Sequence, residues 1–172
     1  GLGTAITFFT GKKTYRNQDI FAFITLTALS VGTALAVVIF LAYPYIPRMW
    51  TEIPPYVMLT GLVAAPFLLY HEFTMRFLLA LLRVRQSNLT NLFKFVSYFI
   101  LVVILLSRMD CALEQAVIAF SSSVVISVLL AMIFFTGEFR KGWRLDRSIP
   151  GEFFRYGSRA YFLLTFNFIN LR

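Results

Sequence analysis

Long runs of apolar residues, separated by short polar segments, dominate the pattern along the chain. A helix needs about 20 mostly apolar residues to cross the hydrocarbon core of a bilayer, so such runs predict transmembrane spans. Four runs, the third of them shorter than the others, cover residues 20–43, 56–82, 92–107 and 112–135. They lack the polar and apolar alternation of membrane β-strands. The pattern therefore predicts an all-α fold, a polytopic transmembrane helical bundle.

Further apolar runs stand at the two ends of the chain. Residues 1–10 look like the last turns of a preceding helix, and Gly11 is its predicted left-handed C-cap. A fifth run starts near residue 151 and continues to residue 172. The chain begins at Gly1 rather than Met and stops inside this run. We therefore interpret it as a piece of a longer protein.

Composition narrows the class of protein. Of the 172 residues, 59% are apolar, 17% aromatic and only 14% charged, and the mean hydropathy is +0.76. A soluble domain carries about 25% charged residues, so this chain lacks the polar surface that a soluble enzyme needs. The single Cys111 excludes a disulfide framework and a cysteine-based metal site. Composition thus indicates an integral membrane protein.

The basic residues alternate between the segments that connect the runs. Three segments hold Lys12, Lys13 and Arg16; Arg83, Arg85 and Lys94; and Arg140, Lys141, Arg144 and Arg147. The two segments between them hold only Arg48 and Arg108. This alternation is typical of cytoplasmic loops that carry an excess of Lys and Arg. It accounts for the net charge of +8 without a nucleic-acid partner.

Small residues recur at four-residue spacing in two of the predicted spans. They are Ala28, Gly32 and Ala36 in the first run, and Ala119, Ser123, Ser127 and Ala131 in the fourth. Small side chains at this spacing let helix backbones approach closely, and serine hydroxyls can bond across the contact. We expect both stripes to be helix contacts.

The second run contains ionisable residues that need an explanation, because charges in the bilayer core are costly. His71 and Glu72 are predicted near the midplane. Glu72 and Arg76 are four residues apart in the order that favours a helical ion pair, and Arg83 follows on almost the same face. This stripe should face the bundle interior or a water-filled cavity, with His71 about a quarter turn away. The functional interpretation is proton or sodium coupling at His71 or Glu72. The structural interpretation is an internal ion pair beside a hydrogen-bonded histidine.

The fifth run carries a second polar face. Its members are Arg155, Arg159, Asn167 and Asn170. The planar fork of arginine donates paired hydrogen bonds to phosphate oxygens, so this face could bind a pyrophosphate-bearing lipid. Alternatively, Arg155 and Arg159 extend to the cytoplasmic headgroups.

Motifs of enzymes and cofactor sites are absent from the sequence. No acidic cluster resembles a metal site, and a lone histidine excludes a histidine-rich zinc site. The serines at positions 121–123 lie in an apolar run without a nearby base, so we interpret them as packing residues. We expect neither an enzyme nor a bound cofactor.

Three stretches resemble the polysaccharide and O-antigen flippases of the multidrug/oligosaccharidyl-lipid/polysaccharide exporter superfamily. GLGTA at residues 1–5 with GKK at 11–13 is similar to the end of that family's second helix and its basic turn. Arg83-Val84-Arg85 with Asn88 resembles the exit of the fourth helix. The most specific stretch, RYGSRAY at residues 155–161 continuing to FINLR at 168–172, is similar to the start of the seventh helix.

This resemblance implies a transporter of two helical bundles that rock around a central cavity. Residues 1–150 would belong to the N-terminal bundle, and residues 151–172 would start the first helix of the C-terminal bundle, with residues 137–150 as the boundary. A lipid-linked oligosaccharide would be flipped to the outer leaflet of a bacterial or archaeal plasma membrane. Polysaccharide assembly proteins would be further partners. The resemblance assigns the pyrophosphate to Arg76, Arg155 and Arg159, and ion coupling to His71 or Glu72.

Three other functions remain open at this point. A drug or cation exporter of the same superfamily would favour intramembrane acids, whereas Glu72 is the only deep acid in the predicted spans. An intramembrane glycosyltransferase or acyltransferase could use His71. A membrane scaffold without transport would tolerate neutral replacements of the buried charges.

Overall fold

The computed structural model describes residues 1–45, 54–107, 112–136 and 148–170, and the regular structure in these ranges is helical throughout. Its helices are α1 (Leu2–Lys12), α2 (Asn17–Ala42), α3 (Pro55–Ala80), α4 (Val84–Leu106), α5 (Ala112–Phe134) and α6 (Ser148–Asn170), with a 3-10 turn at Tyr43–Tyr45. The prediction of an all-α helical bundle is confirmed.

Helices α2 to α5 are long and apolar enough to cross a membrane. Their candidate spans are Asn17–Ala42, Pro55–Ala80, Val84–Leu106 and Glu114–Phe134. Many of their large apolar side chains are exposed, most continuously along α4. Apolar surface of this extent needs lipid or protein around it. By length and composition of its helices, the chain is a membrane protein.

Helix α3 lies at the centre of the bundle and contacts α1, α2, α4 and α5. Against α2 the backbones are very close, because a Cβ on Gly32 would lie 2.4 Å from the Cα of Pro66. The second small-residue stripe, on α5, is fully buried, and its Ser127 contacts His71 of α3. The predicted role of both stripes in close helix packing is confirmed, with Ala36 only partly buried.

The bundle is tightly packed at one end and open at the other. Phe21 stacks on Phe135 with ring centroids 4.6 Å apart, and Phe9 stacks on Phe153 at the same distance. All four rings lie near the end of the bundle that carries the short α1–α2 and α3–α4 connectors. At the opposite end two apolar grooves of about 370 and 480 Å³ separate α3 from α2 and from α5.

The two short connectors lie side by side at the packed end, which we call the inner end. Lys13 and Arg16 of the first and Leu82 of the second line one groove of about 780 Å³. The alternation of basic residues requires these two segments to share a membrane side, and the structure agrees. The third basic segment, residues 137–147, and the opposite segments around Arg48 and Arg108 lie outside the described residues.

The left-handed C-cap of α1 is Lys13, not Gly11. Gly11 remains within the helix, and Lys13 has φ 55° while its N–H donates to the carbonyl of Thr10. The reversal occurs where the chain must turn to begin α2 at Asn17, and this point falls two residues after the glycine. A left-handed conformation costs a non-glycine residue about 1–2 kcal/mol, so the position is mildly strained.

Helix α3 ends earlier than predicted, at Ala80. Leu82 is left-handed with φ 59°, its N–H donates to Leu79, and the N–H of Arg83 donates to Leu78. This pair of bonds is a Schellman motif, which satisfies the last carbonyls of the helix. Helical spacing had predicted that Arg83 belongs to a stripe with Glu72 and Arg76. Arg83 instead lies just before α4 and is not part of α3.

Helix α6 begins at Ser148 rather than near residue 151. Pro150 falls in its first turn, where a missing N–H leaves no helical hydrogen bond unmade. The aromatic side chains of α6 pack on α1 and α2, and Tyr15 donates a 2.7 Å hydrogen bond to Glu152.

Candidate functional site

His71 is a buried histidine at the meeting point of three helices. It is 4% exposed on α3. Its Nδ1 lies 3.1 Å from the Oγ of Ser127 on α5, and its Nε2 lies 3.3 Å from Oδ1 of Asn91 and 3.4 Å from Nζ of Lys94 on α4. The predicted alternative of a histidine that is hydrogen-bonded to its neighbours is confirmed.

Helix α4 turns its polar face inward. Ser87, Thr90, Asn91 and Lys94 are spaced by three and four residues, so they share one side of the helix. Ser87 and Thr90 are buried, and the Oγ of Ser87 lies 3.6 Å from the sulfur of Met75 on α3. Large apolar side chains are exposed on the other side of the same turns, namely Leu89, Leu92, Phe93 and Val96, together with the polar Asn88.

This arrangement corrects the prediction for the third span. The polar residues before residue 92 were expected in a connector, but α4 begins at Val84 and contains both Arg85 and Lys94. At 1.5 Å per residue, Lys94 lies about 15 Å from the start of α4, near the middle of the helix. Lys94, Asn91 and Ser127 were not predicted as site residues. The three- and four-residue spacing of polar residues in α4 was the signal that could have revealed the first two.

Glu72 and Arg76 form the predicted ion pair on α3. Oε1 of Glu72 and Nε of Arg76 are 3.1 Å apart, and the side chains are 53% and 54% exposed. They belong to an exposed stripe with Leu68 and Leu79, which we call the α3 stripe. Both residues of the pair belong to α3, but the pair lies on the surface of the described bundle. The expectation of an ion pair in the bundle interior is therefore corrected.

The depth of these residues is also smaller than predicted, because α3 ends at Ala80. Glu72 lies about 12 Å and Arg76 about 6 Å from that end, at 1.5 Å per residue. His71 is about 14 Å from it, whereas the middle of the 26-residue helix is about 20 Å away. Glu72 is thus within the span but on the inner side of its centre, and Arg76 is nearer the interface.

Arg76 lies against α1 at a glycine. A Cβ on Gly3 would lie 3.4 Å from Cγ and 3.8 Å from Nε of Arg76. The absence of a side chain at Gly3 lets the apolar stem of the arginine pass close to α1. Gly3 therefore helps to position the guanidinium beside Glu72.

Arg155 and Arg159 lie on α6 and are exposed. Midway between them, Gly157 contacts α1, since a Cβ there would be 3.1 Å from the carbonyl carbon of Gly1. At 100° per residue both arginines point away from that contact. In the described ranges α1 separates α6 from α3, so the structure does not bring Arg155 and Arg159 together with Arg76. The side chains of Asn167 and Asn170, also in α6, lie outside the described residues.

Helix α3 therefore presents two different polar sites within a single turn. One is a buried network around His71, and the other is an exposed ion pair on the α3 stripe. Within the described part of the chain no group of three or more His, Cys, Asp or Glu could hold a metal ion. Comparisons with family models, curated proteins and solved structures find no match to this chain.

Proposed function

We propose that this chain is part of a flippase, a transporter that moves a lipid-linked oligosaccharide or polysaccharide precursor from the cytoplasmic to the outer leaflet by alternating access. The proposal combines the resemblance of three sequence stretches with one structural observation. That observation is the half-exposed Glu72–Arg76 pair within a transmembrane helix. The protein would act in a bacterial or archaeal plasma membrane.

The exposed charges support a polar cavity beside α3. Glu72 lies within the span, where a charged side chain that faces lipid is costly, and such residues almost always face protein or water. The exposed face of α4 shows the contrast, because Phe95, Phe99 and Val103 form an apolar surface suited to lipid. The α3 stripe therefore fits the wall of a water-filled cavity, which a second helical bundle would complete.

The chemistry of the stripe fits a phosphate-bearing ligand. Arg76 is held by Glu72 and by the close approach of α1 at Gly3, so its guanidinium is positioned before a ligand arrives. Guanidinium groups donate paired, charge-assisted hydrogen bonds to phosphate oxygens. Arg155 and Arg159 are proposed as separate contacts for the lipid phosphate at the face of α6, and Asn167 and Asn170 as contacts further along it.

The direct test is a flipping assay with the full-length protein in liposomes that contain a fluorescent lipid-diphosphate oligosaccharide. Loss of a charge-assisted hydrogen bond costs about 1.5–3 kcal/mol, so Arg76→Gln should lower the rate about 10- to 100-fold. Arg85→Gln removes an exposed arginine from the inner end of α4 and serves as the matched control, with an expected rate close to wild type. An unchanged rate in Arg76→Gln would contradict the role of the stripe.

The same liposomes separate the alternatives. Movement of a cationic dye without movement of the lipid would favour a drug exporter. Formation of a new glycosylated or acylated product would favour a transferase. If the double variant with neutral residues at positions 72 and 76 flips lipid at the wild-type rate, these charges have no role in transport.

A further inference from the structure

The hydrogen-bond partners of His71 determine which ring nitrogen carries its proton. The hydroxyl of Ser127 has a single hydrogen, and we assign it to the shorter of the two contacts of this oxygen, the 2.8 Å bond to the carbonyl of Val124. The same oxygen lies 3.1 Å from Nδ1 of His71, so in that contact it accepts. Nδ1 therefore carries the hydrogen in neutral His71, and Nε2 has the free lone pair.

The two neighbours of Nε2 have opposite hydrogen-bonding properties. The ammonium group of Lys94, 3.4 Å away, can only donate, whereas the carboxamide oxygen of Asn91, 3.3 Å away, can only accept. In this orientation of the carboxamide, a bare Nε2 therefore pairs with Lys94 and receives no hydrogen from Asn91. A protonated Nε2 pairs with Asn91 and repels Lys94.

We infer that Nε2 of His71 is an exchangeable proton site that changes partner with its protonation state, from Lys94 when bare to Asn91 when protonated. Uptake adds a proton to the lone pair of Nε2, and the new N–H donates to Oδ1 of Asn91. Lys94 keeps its own protons, loses its acceptor and is repelled by the imidazolium. Release of the proton reverses each of these changes.

The charged groups around His71 in the described ranges do not form a site for a metal cation. On its own helix, Glu72 is already paired with Arg76. Helix α4 contributes the cation Lys94, while α5 contributes only the neutral Ser127 at this level and carries Glu114 at its outer end. The only charged residues of α1 and α2 are Lys12 and Asp19, both near the inner end. Sodium needs several oxygen ligands of net negative charge, and a site beside an ammonium group does not supply them.

The partner change links protonation to the contact between α3 and α4. Lys94 is half-buried near the middle of α4, and its contact with Nε2 is a polar link between these two helices. A charged His71 would weaken this link and strengthen the neighbouring one to Asn91. As far as it concerns transport, this inference rests on the proposed function, because it identifies the coupling ion of the flippase as a proton.

The site itself can be tested without any transport measurement. The full-length protein is labelled with 15N-histidine and placed in lipid nanodiscs, and the signals of His71 are identified by their loss in His71→Gln. At high pH we expect a protonated Nδ1 and a bare Nε2. Between about pH 9 and pH 4 the Nε2 signal should change to the protonated type, whereas replacement of potassium by sodium should change nothing. A bare Nδ1 at high pH, or one unchanging species across this range, would overturn the inference.

Variants of the two partners sharpen the test. Lys94→Met keeps the apolar stem but removes the donor, so it should alter the Nε2 signal only at high pH. Asn91→Leu removes the acceptor and should alter it only at low pH. Ser127→Ala should produce a mixture of the two neutral tautomers, while Ser123→Ala, which removes a buried hydroxyl one turn away, should not. Equal effects of Lys94→Met and Asn91→Leu at both ends of the range would contradict the partner change.

The coupling role is tested in the flipping liposomes. A proton gradient should change the wild-type rate by about fivefold or more, and His71→Gln should abolish this response. A rate that ignores the proton gradient, or follows a sodium gradient, would overturn proton coupling. If the wild-type protein moves no lipid at all, the proposed function fails, and the spectra alone still decide whether the proton site exists.

Discussion

His71 and Glu72 are adjacent in sequence and differ by only about 1.5 Å in height along α3, yet their surroundings are opposite. His71 is 4% exposed and contacts neutral and cationic partners on α4 and α5. Glu72 is 53% exposed, and Arg76 of its own helix is its ion-pair partner. The position of a residue along a helix sets its depth in the membrane, whereas the helix face on which it lies sets its exposure and its contacts.

The polar groups on the two faces of α3 are stabilised in different ways. A polar group within a membrane needs hydrogen-bonding partners or water. The His71 face provides partners from other helices, which makes the network sensitive to how α3, α4 and α5 are packed. The α3 stripe carries its own counter-ion and stays open, which leaves Arg76 accessible to a ligand.

The largest effect on stability is expected where α3 meets α2, because their backbones leave no room for a side chain at Gly32. In Gly32→Ala the new Cβ would meet the backbone of Pro66, and we expect a loss of about 3 kcal/mol, at the upper end for overpacking. Gly61→Ala is the matched control, since a Cβ there meets nothing within 4 Å. That variant should be stabilised by up to about 1 kcal/mol through helix propensity.

Unfolding of both glycine variants in detergent, followed by circular dichroism against temperature, measures the difference. Similar transitions for Gly32→Ala and Gly61→Ala would mean that the close α2–α3 contact does not hold α3 in place.

An intermediate effect is expected on the His71 face. Ser127→Ala leaves the buried Nδ1 of His71 without its hydrogen-bond partner, which costs about 1–3 kcal/mol. Ser123→Ala removes a hydroxyl that is bonded to Phe120 of its own helix, so it should cost less than about 0.5 kcal/mol. Equal losses in chemical unfolding would show that the contact with His71 adds no stability.

The smallest effect on stability is expected on the α3 stripe. Because both side chains of the ion pair are about half exposed, Glu72→Gln should cost less than about 0.5 kcal/mol. A loss comparable to that of Ser127→Ala would indicate that the pair is buried in the intact protein, and it would remove the distinction between the two faces.

The sequence was sufficient to predict the helices, the small-residue contacts and the pairing of Glu72 with Arg76. It was insufficient for α4, because a hydropathy pattern treats polar residues at the start of a run as a connector. In α4 Ser87 and Thr90 face the protein while large apolar side chains face outward, which reverses the pattern of a soluble helix. Lys94 was therefore assigned to a loop although it lies beside His71.

The arginines of α6 illustrate a second limit. Helical spacing placed Arg155 and Arg159 on one face, but it does not tell which helix lies next to that face. The contact between Gly157 and Gly1 sets this arrangement, and it involves residues far apart in the sequence. Long-range contacts of this kind are not contained in the local periodicity of a single helix.

Water access to the α3 stripe is the central claim of this account, and cysteine labelling tests it most directly. In a background of the full-length protein that lacks Cys111 and any cysteine outside residues 1–172, Glu72→Cys and Arg76→Cys are each treated in membranes with a charged, membrane-impermeant thiol reagent. Phe99→Cys on α4, which is 69% exposed on an apolar face, is the lipid-facing control. The account predicts rapid labelling at positions 72 and 76 and none at position 99. Labelling at positions 72 and 76 as slow as at position 99 would contradict it.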